Sequence, residues 1–198
     1  LLNEQEKNQL IEQYPNSGKY IKTYIGADEF LKKNPRYCIW VEKDDYEDAN
    51  KITPINERFN KVRDLRLKSK KQATRIKAST PYAFDEKKYK ATNSIIFPQT
   101  TSENREYIPI GFLDSTYVVS NAARLVYNAE TWLFGVLTSK IHNVWLQRVA
   151  GRLETRIQYS NTLCYNTFPF PTISEQSKNE ISLCVLRILE EREKYSEK

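Results

Sequence analysis

The sequence contains no methionine, one histidine, three cysteines and five glycines, and each scarcity narrows the chemistry open to it. A single histidine and three cysteines (Cys38, Cys164 and Cys184) without Cys-x-x-Cys spacing leave no ligand set for a structural zinc. The cysteines are odd in number, far apart and set in apolar runs. That is the pattern of buried free thiols in a reducing compartment, not of a disulfide framework. The glycines form neither a GxGxxG nor a phosphate-loop pattern, so no nucleotide cradle is visible. No apolar run approaches bilayer-spanning length and no signal peptide is visible, so no membrane partner is expected. With Leu1-Leu2 at its start and no initiator methionine, the chain is expected to be a piece of a longer protein.

Hydrophobic residues at 39% and charged residues at 28% describe a globular chain, and 198 residues suffice for one domain with an appendage. Lys and Arg total 31 against 25 Asp and Glu. The resulting net charge of +6 favours a polyanionic partner without demanding one.

Along the chain, residues 1–13 read as a helix broken by Tyr14-Pro15-Asn16-Ser17-Gly18, and a short helix is expected over 27–33. Arg36–Val41 has strand composition. Thr53-Pro54 opens a long helix, with Phe59, Val62, Leu65, Ser69, Ala73 and Ile76 at helical spacing. Between Arg58 and Lys77 its cations face only Asp64. Short apolar segments at 80–84, 94–97, 107–112 and 117–120 suggest strands, with a polar loop over 98–105. Residues 130–150 form one amphipathic helix with Trp132, Leu133, Val136, Leu137, Ile141, Val144, Trp145 and Val149 on its apolar stripe. Gly151 then stops the helix. Residues 153–159 alternate like a half-buried strand, with Glu154, Arg156 and Gln158 on its polar face. A last helix is capped by Ser174 or Ser177, the latter at capping-box spacing from Glu180. Its stripe of Ile181, Cys184, Val185, Ile188 and Leu189 calls for a partner surface. The expected fold class is α+β: a short mixed or antiparallel sheet flanked by helices, with a C-terminal amphipathic helix.

Two residues apart on a strand, Glu154 and Arg156 point to the same face. A carboxylate beside a guanidinium can read both halves of a C·G pair, since Glu accepts from the cytosine amino group and Arg donates to guanine O6 and N7. An ordinary ion pair is the plainer alternative. Arg63, Arg66 and Lys70 fall on one face of the expected basic helix and suit phosphate contacts. For them a solvated helix face is the alternative. Enzymatic patterns are missing. Asn166-Thr167-Phe168-Pro169 lacks the second-position proline and terminal aromatic of an amino-methyltransferase motif. Glu154-Thr155-Arg156 has arginine where a magnesium nuclease wants lysine, and no recognisable nucleophile accompanies His142.

Several segments, in order, carry a resemblance. They are Ile25–Phe30, Arg36–Trp40, Ser102–Phe112, Ser139–Trp145, Val149–Arg156, Tyr159-Ser160 and Tyr165–Pro171. Together they resemble the target-recognition domain of the MmeI-like DNA methyltransferases. The resemblance implies a DNA-reading module over 20–171, preceded by the end of a connecting segment over 1–19 and followed over 172–198 by the start of a helical region. It implies double-stranded DNA and an upstream methyltransferase domain of the same chain as partners, in a bacterial cytoplasm. No cofactor is implied in this segment. S-adenosylmethionine, used for adenine-N6 methylation, and magnesium where a nuclease is present, would belong to the parent restriction–modification enzyme. The family pattern places Glu154 and Arg156 at a base-reading position that goes with cytosine on the methylated strand. Ser102, Asn104, Arg105, Lys140, His142, Arg148 and Arg152 are further candidates for DNA contact. A non-catalytic protein-interaction domain, and a free-standing nuclease around His142 and Glu154, are the alternatives.

Overall fold

In a computed structural model of the chain, residues 1–195 are described. Helix α1 (Glu4–Gln13) begins at a reciprocal capping box between Asn3 and Glu6. A 3-10 turn (Pro15–Tyr20) leads into β1 (Ile21–Ile25), α2 (Ala27–Lys32) and β2 (Arg36–Ile39). Helices α3 (Tyr46–Asn50), α4 (Thr53–Leu67) and α5 (Gln72–Ile76) follow. Next come β3 (Ser94–Pro98), β4 (Thr100–Thr101), β5 (Gly111–Leu113), β6 (Tyr117–Val119) and β7 (Ala123–Tyr127). The chain continues through α6 (Thr131–Thr138), α7 (Lys140–Val149), β8 (Gly151–Leu153), β9 (Arg156–Gln158), a π-helical turn (Asn161–Tyr165) and α8 (Glu175–Lys194).

The class is α+β, with the described strands in three-stranded sheets ordered β2-β1-β6, β5-β3-β7 and β4-β9-β8. Two compact units share them. The first comprises Leu1–Ile25, Lys33–Lys90 and Thr116–Val118; the second comprises Gly26–Lys32, Ala91–Ser115 and the chain from Val119 onward. In the first unit Leu2, Leu10, Tyr20, Val41, Ile55 and Phe59 form a core, and Trp40 stacks on Phe84 at 5.2 Å. In the second, Ile95, Phe97, Phe134, Leu137, Leu146, Ile157 and Tyr159 form the core, with Val185 of α8 joining it.

The stripe of α8 finds its partner inside the second unit. Gly135 of α6 lets the two helices approach, since a Cβ there would lie 2.5 Å from Ile181 Cγ2 and 2.9 Å from Val185 Cγ2. Contact with α6 covers Ile181 and Val185, whereas Ile188 of the stripe stays exposed. The outer flank of the stripe stays open: Cys184 is exposed, while Cys38 and Cys164 are buried as expected of free thiols. Ser174, not Ser177, caps α8, accepting from Ser177 N at 3.1 Å.

Three expected elements are interrupted, the first two by a local polar bond. The long basic helix stops at Leu67 and resumes at Gln72, because the Ser69 hydroxyl accepts from Lys71 N at 3.2 Å and offers the backbone an alternative to the helical bond. Pro54 lies in the first turn of α4 as expected, but no side chain caps that helix. With the break, Leu65 and Ile76 of the expected stripe stand 71% and 67% exposed. The helix over 130–150 breaks at Ser139, whose extended backbone (ψ 154°) caps α7 with its hydroxyl toward His142 N. The inward positions then become His142, Asn143 and Leu146, leaving Ile141 and Val144 outside. The third interruption, within 153–159, forms the site described below. The expected strand at 80–84 is a run of turns, and only the end of the 107–112 segment enters a strand, at Gly111.

Candidate nucleic-acid interface

Residues 151–158 are a hairpin, not one strand: β8 and β9 pair antiparallel with Leu153 opposite Arg156, and Glu154-Thr155 make the turn. Glu154 takes φ 59°, the left-handed region that primed hairpin turns require at their first central residue. For a residue with a Cβ this costs on the order of 1 kcal/mol. The expected placement of Glu154 and Arg156 along one strand face is therefore corrected. The turn instead brings them together at an exposed tip, where Arg156 Nη2 donates to Glu154 Oε2 at 2.8 Å.

On its far edge β9 pairs with β4, and Thr101 stands opposite Ile157. That register carries the loop from Ser102 to the same end of the sheet as the hairpin tip. The two segments are joined directly, with Thr155 Oγ1 donating to Glu103 Oε1 at 2.7 Å. This bond, with the charges of Arg156 and Arg152 as lesser causes, holds the Glu103 carboxyl below its ordinary range. Arg152 grips the tip from the other side: Nη1 donates to Thr155 O at 3.2 Å and Nη2 to Gln147 Oε1 of α7 at 2.8 Å. Glu103, Thr155 and Gln147 are absent from the residues singled out in the sequence. The only available signal was that Glu103 lies inside the polar loop and Thr155 between the reading pair.

Of the loop candidates, Ser102 serves the loop itself, its hydroxyl accepting from Asn104 N at 3.2 Å. The side chains of Asn104 and Arg105 are exposed. Lys140 and Arg148 lie exposed at the two ends of α7. The side chains of Arg105, Lys140 and Arg148 have no hydrogen-bond or ion-pair partner among the described residues.

Three other candidates are corrected. His142 is fully buried, its Nε2 3.1 Å from the Tyr159 hydroxyl and its ring edge-on to Phe168 at 4.5 Å. Burial pushes its pKa down to about 4, so at neutral pH it is an uncharged core group, reached neither by a phosphate nor by a hydrolytic substrate. Arg66 is committed within the first unit. Its Nη1 donates to Lys77 O and Thr80 O, both at 2.8 Å, and its Nη2 to Ala83 O at 2.7 Å. Lys70 falls in the break between α4 and α5, so it shares no helical face with Arg63 and Arg66. Arg63 is half-buried, with Nη1 donating to Asn60 Oδ1 at 2.9 Å. No group of three His, Cys, Asp or Glu among the described residues is placed to hold a metal ion.

The exposed carboxylate–guanidinium pair thus stands on a braced hairpin tip of an α+β domain. The chain belongs to the family of MmeI target recognition domains, whose family model matches residues 1–172. It is 40% identical over 188 residues to DNA methyltransferase A of Bacillus subtilis (strain 168), covering 95% of this chain and 21% of that protein. It is also similar to the solved structure of the type IIL restriction–modification enzyme MmeI in complex with DNA. There the TM-score is 0.90 at 39% identity, over 98% of this chain and 26% of the other. The chain thus spans about a fifth to a quarter of the length of these relatives.

Proposed function

We propose that this chain reads the DNA sequence for an S-adenosylmethionine-dependent adenine-N6 DNA methyltransferase of the restriction–modification kind. The methyltransferase domain of the same chain is its working partner, and S-adenosylmethionine binds there. The observation that carries the reading is the exposed Glu154–Arg156 pair at the braced hairpin tip. In the major groove Arg156 donates to guanine O6 and N7 and Glu154 accepts from cytosine N4, which specifies one C·G pair. An exposed ion pair is worth only about 0–1 kcal/mol, whereas a bidentate base contact gives about 1–3 kcal/mol of discrimination, so engaging the bases outweighs the side chains' attraction for each other. Arg105, Lys140 and Arg148 supply phosphate contacts in the same unit, and Lys70, with Arg63 in a lesser role, does so in the first. The relatives support the reading, one named as a DNA methyltransferase and the other solved with DNA. We assign α8 to the start of the helical region that follows the recognition domain.

Arg156→Ala in the full-length enzyme should lose about 1–3 kcal/mol of discrimination at one base pair while leaving the rest of the site intact. Methylation-protection sequencing of DNA modified by the variant measures this. An unchanged recognition sequence sinks the assignment.

A further inference from the structure

The tip that carries the reading pair is tied down at one residue from two directions. Thr155 donates a hydrogen bond from its hydroxyl to Glu103, on the loop after β4, and its carbonyl accepts one from Arg152, which is itself held by Gln147 of α7. Thr155 lies between Glu154 and Arg156, so its position sets where both reading groups emerge. We propose that Thr155, Glu103 and Arg152 form a latch of positioning residues that fixes the hairpin tip against the loop and against α7, and so sets the stringency with which one base pair is read. The inference rests on the base-reading role of Glu154 and Arg156 and adds what makes that reading sharp.

Three observations support the latch over an incidental surface contact. The bond crosses 52 positions of sequence and joins at the tip two segments that the β4–β9 ladder already pairs. The tip includes a residue in the left-handed region, so its backbone is held where an untethered turn of this composition has no preference to stay. And the bonds are exposed, so their loss barely alters folding stability and shows instead in the precision of the tip. Misplacing a reading group by a fraction of an ångström spoils bidentate geometry while leaving phosphate contacts nearly untouched.

The test uses the full-length enzyme and two unmethylated duplexes: the site it modifies, and the same duplex with the base pair read by Glu154 and Arg156 replaced. Thr155→Val removes the hydroxyl and keeps the shape, Thr155→Ser restores the hydroxyl, and Glu103→Ala removes the acceptor. Thr155→Val and Glu103→Ala should each lower the ratio of methylation rates between the duplexes by about five- to tenfold, and the double variant should do no worse than either alone. Thr155→Ser should keep the wild-type ratio, and affinity for unrelated duplex should change less than about twofold. The latch is overturned if Thr155→Val keeps the full ratio while Arg156→Ala loses it. It is also overturned if Glu103→Ala moves the preference to a different base pair, since Glu103 is then a reader. If Arg156→Ala keeps the full ratio, the base-reading assignment falls and the latch with it, an outcome distinct from the other two.

Discussion

Replacing Arg66 with alanine should destabilise the first unit by about 3 kcal/mol, as three charge-assisted hydrogen bonds to carbonyls are lost at roughly 1 kcal/mol each after water competes for the acceptors. The carbonyls of Lys77 and Thr80 each also accept a turn bond, from Thr80 N at 3.2 Å and Ala83 N at 3.1 Å, so the guanidinium takes up further acceptor capacity and cross-links a run of turns that no strand or long helix holds. That segment also presents Tyr82 to Phe59 and Tyr46, and Phe84 to Trp40. Loosening it unstacks aromatic rings on two sides of the unit. Arg66→Lys should recover little, because an ammonium on a flexible stem cannot reproduce a planar fork that reaches separate acceptors. Hydrogen exchange over 77–85 is the direct measurement: protection should fall in both variants. A phosphate-contacting arginine behaves oppositely. Its loss leaves exchange unchanged and makes the salt dependence of duplex binding shallower by about one unit, and that pattern would refute the carbonyl-clamp role.

Arg66 also marks what the sequence conveys and what it hides. Hydrophobic periodicity placed α8 correctly, as short apolar runs bounded by turn residues placed the strands around Cys38, Ile96 and Val118, and α1 and α2 also lie where they were expected. It failed where a polar side chain bonds to nearby backbone. Ser69 and Ser139 sit inside unbroken helical patterns, and their substitution for the backbone's own partners cannot be read from spacing. The turn at Glu154-Thr155 is hidden more deeply. Hairpin turns of two residues advertise themselves with Asn-Gly or Asp-Gly, whereas Glu-Thr continues the alternation of its flanks. The pair at 154 and 156 was legible as chemistry, a carboxylate beside a guanidinium, even though the backbone reason given for their proximity was wrong. The run of cations from Arg58 to Lys77 was legible as charge, but charge alone does not separate Arg66, which is used up by carbonyls, from Lys70, which is exposed.

Acidification from pH 7 to pH 5 should destabilise the second unit by about 2 kcal/mol, rising to about 3 kcal/mol near pH 4. The cause is His142, whose imidazole is held near 4 in the folded chain by burial and titrates near 6.5 once unfolded. Between those values the unfolded chain binds a proton that the folded chain refuses. Stability is therefore complete above about pH 7 and falls by about 1.4 kcal/mol for each pH unit below 6.5. The loss levels off once the folded ring also protonates, near 4. His142 is the only histidine in the sequence, so no other imidazole contributes to the slope. The carboxyls of Glu4, Glu42, Asp48, Asp85 and Glu103 are all held below their ordinary values, so the stability they contribute is lost as pH falls below about 5 and adds to the loss from His142 only at that acid end. Denaturant unfolding followed through Trp132 and Trp145 reports on this unit, since Trp145 packs edge-on to Phe168, the ring that covers His142. His142→Gln, which keeps a polar group facing the Tyr159 hydroxyl, should be less stable at pH 7 but nearly flat between pH 7 and 5. A wild-type chain that keeps its full stability to pH 5 would mean that the imidazole protonates without unfolding. His142 would then be open to solvent and available once more for contact with a phosphate.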